Sequence, residues 1–82
     1  MTQNEQMQLA AKLMKLSIDQ VKEYSGMIPG SGALYLSVPE KGGGSLIVAA
    51  DGTVLHAGSA VGFDEHYSSF QKGLRTDLTF FA

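Results

Sequence analysis

The chain has 82 residues and a mass of 8.7 kDa, with 44% hydrophobic residues, 17% charged residues and a formal charge of −2. This is one small domain spanning 1–82, too apolar and too weakly charged to be disordered throughout. A chain of this size hides only roughly 60–65% of its unfolded surface, so a thin core and no deep active site are expected.

The six basic residues are scattered, three of them (Lys12, Lys15 and Lys22) on the first helical segment. A phosphate-neutralising face is not formed, which disfavours nucleic acid as a partner. Cysteine is absent, removing disulfide staples, zinc fingers and thiol catalysis. No basic region followed by an apolar run marks a signal peptide. The longest apolar stretch, Leu46 to Ala50, is far too short to span a bilayer. A cytoplasmic protein without membrane contact is the expectation.

Residues 2–25 have helical periodicity, with Met7, Ala10, Ala11, Met14, Ile18 and Val21 on one stripe. Thr2 and Glu5 have the spacing of a capping box, and so do Ser17 and Gln20. The segment is therefore one helix or a pair, 3–16 and 18–25, with Gly26 placed as a C-terminal cap. Met27 to Gly32 is a connector punctuated by Pro29-Gly30. Ala33 to Val38 alternates as a strand, and Pro39 to Gly44 is a loop. Ser45 to Ala50 is an apolar central strand, and Asp51-Gly52 is a hairpin turn. Thr53 to Ala57 returns as the third strand, with Val54 and His56 on one face. Gly58 to Gly62 connects to a second helix, Phe63 to Lys72, capped by Asp64 and ended by Gly73. Its apolar stripe is Phe63, Tyr67, Phe70 and Leu74. Thr76 to Ala82 reads as an edge strand or a loose tail. The expected class is α+β: an N-terminal helix or helix pair, a three-stranded antiparallel meander and a C-terminal helix (α-β-β-β-α). The first helix covers one sheet face, and the other stays open to solvent or a partner.

Candidate chemistry is sparse. The run Gly42-Gly43-Gly44 follows Lys41 and leads into a strand, which is the wrong order for a phosphate loop. His56 and His66 are the only histidines. Adjacent residues do not share a helix face, so Asp64-Glu65-His66 is a poor chelate and a metal would need His56 to converge on it. The ordinary reading of His66 is a partly exposed imidazole at a solvated helix start. Ser59, Ser68 and Ser69 lie near the histidines without a nucleophile motif. Arg75 is read either as an ion pair with Asp77 or as a contact to a partner. Phe80-Phe81 and Tyr35 are either core or interface.

The stretches Gly43-Gly44-Ser45-Leu46-Ile47-Val48, Asp51-Gly52-Thr53-Val54-Leu55 and Lys72-Gly73-Leu74-Arg75-Thr76, with Phe70, resemble a pattern in short bacterial proteins. Several of those resemble immunity proteins of polymorphic-toxin systems, which bind and block a cognate toxin. The resemblance covers residues 42–76 and implies a non-catalytic binding protein of bacterial origin without a cofactor. Its partner would be a protein such as a toxin. The alternative is self-association through the exposed edges of the sheet. Asp64, Glu65, His66 and Arg75, supported by Tyr35, are the expected contact residues.

Overall fold

The computed structural model describes residues 1–40 and 43–82. Both capping boxes form. Thr2 Oγ1 accepts from the Glu5 N–H and the Glu5 carboxylate accepts from the Thr2 N–H, opening α1 (Gln3–Met14). Such a cap is worth about 1 kcal/mol. Lys15 then takes the left-handed conformation (φ 56°), and the N–H groups of Lys15 and Leu16 both end on the Ala11 carbonyl. Ser17 and Gln20 repeat the reciprocal cap to open α2 (Ile18–Tyr24). The N-terminal segment is thus a helix pair, broken where the second box competes with continued helix.

Gly26 is not a cap. Ser25 leaves α2 in extended conformation, and Ser25–Met27 forms strand β1. The sheet therefore has four strands where three were expected. Three residues are too few to show a period-two pattern. The strand exists because β2 (Leu34–Ser37) offers it a partner, pairing Ser25 with Leu36 and Met27 with Leu34. β3 (Ser45–Val48) and β4 (Val54–Ala57) complete an antiparallel meander in chain order, β1-β2-β3-β4. The Asp51-Gly52 turn joins β3 to β4 as the sequence predicts, with Asp51 Oδ1 accepting from the Thr53 N–H. The loop expected over Pro39 to Gly44 connects β2 to β3, and its Lys41 and Gly42 lie outside the described residues.

The N-cap position of α3 (Phe63–Gln71) is Gly62, which has no side chain to cap with, and Asp64 sits inside the first turn instead of capping it. Gly73 ends the helix as expected, at φ 92°. Its N–H bonds the Phe70 carbonyl and the Leu74 N–H bonds that of Ser69, which is a Schellman closure. Thr76 to Ala82 is neither strand nor loose tail. Thr76 makes a single bridge to Val54, donating its N–H to the Val54 carbonyl and accepting the His56 N–H on its hydroxyl. Those are outward-pointing groups of β4, so one residue shields that edge. A 3-10 turn (Leu78–Phe81) follows.

The layer arrangement departs most from expectation. Leu34, Leu36, Leu46, Val48 and Val54 point to one face, where Ala10 of α1 and Val21 of α2 join them, with Phe81 at the margin. Ile47, Ala33 and Ile28 point to the other, where Tyr67 and Phe70 of α3 cover them. The face expected to be open is covered by α3. All four residues of β3 are consequently buried. Each fully buried aliphatic side chain contributes roughly 1.5–3 kcal/mol, so β3 carries a large share of the stability. Leu74, placed on the α3 stripe by its spacing, falls beyond the helix end and is 56% exposed.

Gly44, which enters β3, is at φ 73°, and a Cβ there would lie 2.8 Å from the Ala57 carbonyl and 3.2 Å from His56 Nε2. Gly44→Ala should therefore lower stability by about 2 kcal/mol or more, because strain and a backbone clash act together. Urea unfolding of the two proteins measures this, and an unchanged midpoint would contradict the approach.

Candidate functional site

A buried polar cluster is built around His66. A histidine at the fourth position of a nine-residue helix points inward when that helix lies on a sheet. His66 is 2% exposed, not the partly exposed imidazole expected. Its Nε2 lies 2.8 Å from the Leu55 carbonyl and its Nδ1 lies 3.1 Å from Ser45 Oγ. A carbonyl only accepts, so Nε2 carries the proton. Nδ1 of the neutral ring then accepts from the Ser45 hydroxyl. Desolvation pushes the imidazole below the usual histidine range, outweighing the Leu55 bond, which pulls it up. The pair fastens α3 to both β3 and β4.

His56 occupies the opposite face of the sheet, 4.9 Å from the Phe80 ring and 5.9 Å from that of Phe81. Burial, and secondarily the neighbouring His66, push it below its usual range as well. The two histidines line one recess with Glu65, but both ring nitrogens of His66 are already hydrogen-bonded within the fold. Among the described residues, no group of three His, Asp or Glu side chains is placed to hold a metal ion.

The other expected contact residues divide. Asp64 and Glu65 are exposed on the first turn of α3. Phe63 beside them is 39% exposed, its ring 4.8 Å edge-on from Tyr35 and 5.6 Å stacked on Tyr67. Tyr35 and Phe63 therefore meet along one side of α3, while Glu65 lines a separate recess with Leu55, His56, Ala57 and Leu74. Arg75 sits past the far end of α3 and is occupied within the fold. Its Nε donates to Thr53 Oγ1 at 2.9 Å, and Nη1 donates to the Phe70 and Leu74 carbonyls at 2.9 and 2.7 Å. The guanidinium also lies 3.8 Å above the Phe70 ring. The Thr53 hydroxyl and N–H hold the Asp51 carboxyl below its usual range, completing a chain from the hairpin turn to the helix end. Asp77, the expected ion-pair partner, instead accepts from the N–H and hydroxyl of Thr79.

Sequence reasoning missed two residues. Gln6 is 1% exposed, its Nε2 donating to the Gly32 and Val48 carbonyls. The signal was its place four residues before Ala10 on the buried stripe. Ser45 was read only as the start of an apolar strand. It also lines a recess of about 300 Å³ shared with Tyr35, Ser37, Glu40, Gly58 and Ser59.

No family model, curated protein or solved structure matches the chain. No helix among the described residues is long and apolar enough to cross a membrane.

The histidines set a pH dependence. Their folded values lie below the ordinary histidine value of about 6.5, so below that pH the unfolded chain binds protons that the folded chain refuses. Stability is full above pH 6.5 and falls as pH drops through it. Glu5, Asp51 and Asp77, all held below the usual carboxylate range, add a further loss in stronger acid. Urea midpoints should fall between about pH 7 and about pH 5, and a flat profile there would contradict buried neutral imidazoles.

Proposed function

We propose that this chain is a non-catalytic protein-binding domain that acts by covering a functional surface of its partner. The form implied by the sequence resemblance is a toxin-neutralising immunity protein. The observation that carries the reading is Phe63. Its ring is fixed by Tyr35 and Tyr67, remains 39% exposed, and is followed directly by the exposed carboxylates Asp64 and Glu65. A pre-ordered aromatic loses little entropy on binding, and anchors of this kind carry much of the energy of interfaces. The acidic neighbours favour a partner surface with basic groups. His66 is buried and acts behind Phe63 by holding α3 in place, while Arg75 clamps the helix end through Nε and Nη1 and stays exposed.

Tagged wild-type protein and a Phe63→Ala/Asp64→Lys variant, offered to lysate of the producing cell, test this. A stoichiometric partner should bind the wild type and be weakened by at least about tenfold in the variant, with the variant's circular dichroism unchanged. Equal recovery by both would remove this patch from the interface. Arg75→Glu is a poor probe, because it breaks hydrogen bonds internal to the fold.

A second reading, self-association, is favoured by a different observation. Leu74, Leu78 and Phe80 are 56%, 52% and 61% exposed along the C-terminal segment. Of these, Leu78 lines a groove of about 290 Å³ with Leu9, Lys12, Leu13, Phe81 and Ala82. Under this reading, sedimentation equilibrium gives a mass near twice 8.7 kDa that reverts to monomer in Phe80→Ser. A strictly monomeric wild type at high concentration would count against it.

A further inference from the structure

The recess beside Ser45 has a polarity that follows from His66. The Leu55 carbonyl takes the Nε2 proton, so Nδ1 takes the Ser45 proton. Serine has one proton to give. With it committed inward, Ser45 Oγ has only lone pairs left for the recess. Tyr35, Ser37 and Ser59 add hydroxyls that accept as readily as they donate, and Glu40 adds an exposed carboxylate. No lysine or arginine is among the described residues of the lining. The positive end of α3 is offset by Asp64 and Glu65 in its own first turn. The volume of about 300 Å³ is at the small end for ligand sites and suits one long side chain.

We infer that this recess is a subsite for a cationic hydrogen-bond donor, an arginine or lysine side chain of the protein partner, received by Glu40 and the lone pairs of Ser45. The inference rests on the protein-binding reading and supplies its partner's chemistry. Tyr35 lines the recess and also packs edge-on against Phe63, so one bound surface reaches both. An anion would meet Glu40 and the lone pairs of Ser45, and is disfavoured.

The test is an amide NMR titration of the whole protein with N-acetyl-arginine amide. Parallel titrations use the uncharged N-acetyl-norleucine amide and inorganic phosphate. Saturable shifts are expected at Tyr35, Ser37, Ser45 and Ser59 with the arginine compound alone. Glu40 is exposed, so Glu40→Gln leaves the fold intact, and it should weaken binding by about threefold or more. Ser59→Ala should weaken it too. Absence of saturable shifts, equal shifts with phosphate or norleucine, or full affinity in Glu40→Gln would each overturn the subsite. The two readings fail separately. Partner capture that depends on Phe63 without an arginine response removes only the recess. An arginine response without any captured partner removes the protein-binding reading and leaves the recess as a cation site.

Discussion

Burial of β3 on both faces is the constraint from which the architecture follows. Leu46 and Val48 need cover on one side, and Ser45 and Ile47 need it on the other. An 82-residue chain has few residues to supply two covering layers. It does so with short helices. The α1–α2 pair turns at Lys15 to lay both Ala10 and Val21 on the first face, and α3 brings Tyr67 and Phe70 to the second. A continuous N-terminal helix of the same residues would project past the sheet, so the second capping box at Ser17 is what lets the segment fold back over it.

The same constraint brings polar groups into the interior, and among the described residues only the Ser25 hydroxyl is buried without a partner. Gln6 answers the Gly32 and Val48 carbonyls from the α1 side, and His66 answers Ser45 and Leu55 from the α3 side. Unpaired, such groups would each cost about 1–3 kcal/mol. Paired, they also fix register, since an amide or imidazole with defined partners does not slide along a strand as an aliphatic side chain does. The exposed patch on α3 inherits its position from this buried anchor. The position of Phe63 is set by a helix whose fourth residue is bonded to two strands.

Local signals were legible in the sequence, and partnership between distant segments was not. Both capping boxes, the Asp51-Gly52 turn, the Gly73 stop and the alternation of β2 are written within a few residues, and the structure has them. β1 exists only through its pairing with Leu34–Leu36, so Ser25-Gly26-Met27 carries no signal of its own. The layer error has the same origin. The continuous apolar run of β3 is what a doubly covered strand looks like, but helix-like stripes on 3–24 and 63–71 do not say which face each helix takes. Among the candidate residues, Tyr35 falls against Phe63, and Asp64 and Glu65 are exposed on the first turn of the same helix. His66 and Arg75 were singled out for their chemistry, and the fold uses that chemistry internally. An imidazole beside acidic residues reads as exposed until its partner Ser45, 21 positions away, is known.

Strand order equal to chain order has a kinetic consequence. Each strand of the meander pairs with the one just made, so the sheet grows by short loop closures, the kind that reward their entropy cost early. Gln6 reaches Val48 across 42 residues, a contact that becomes available only when β3 is already in place. The helix pair can therefore form its caps before the sheet exists, while the Gln6–Val48 bond waits for β3. Substitutions in the β2–β3 hairpin should then slow folding itself. Loss of the Gln6 amide should act mainly on the rate of unfolding.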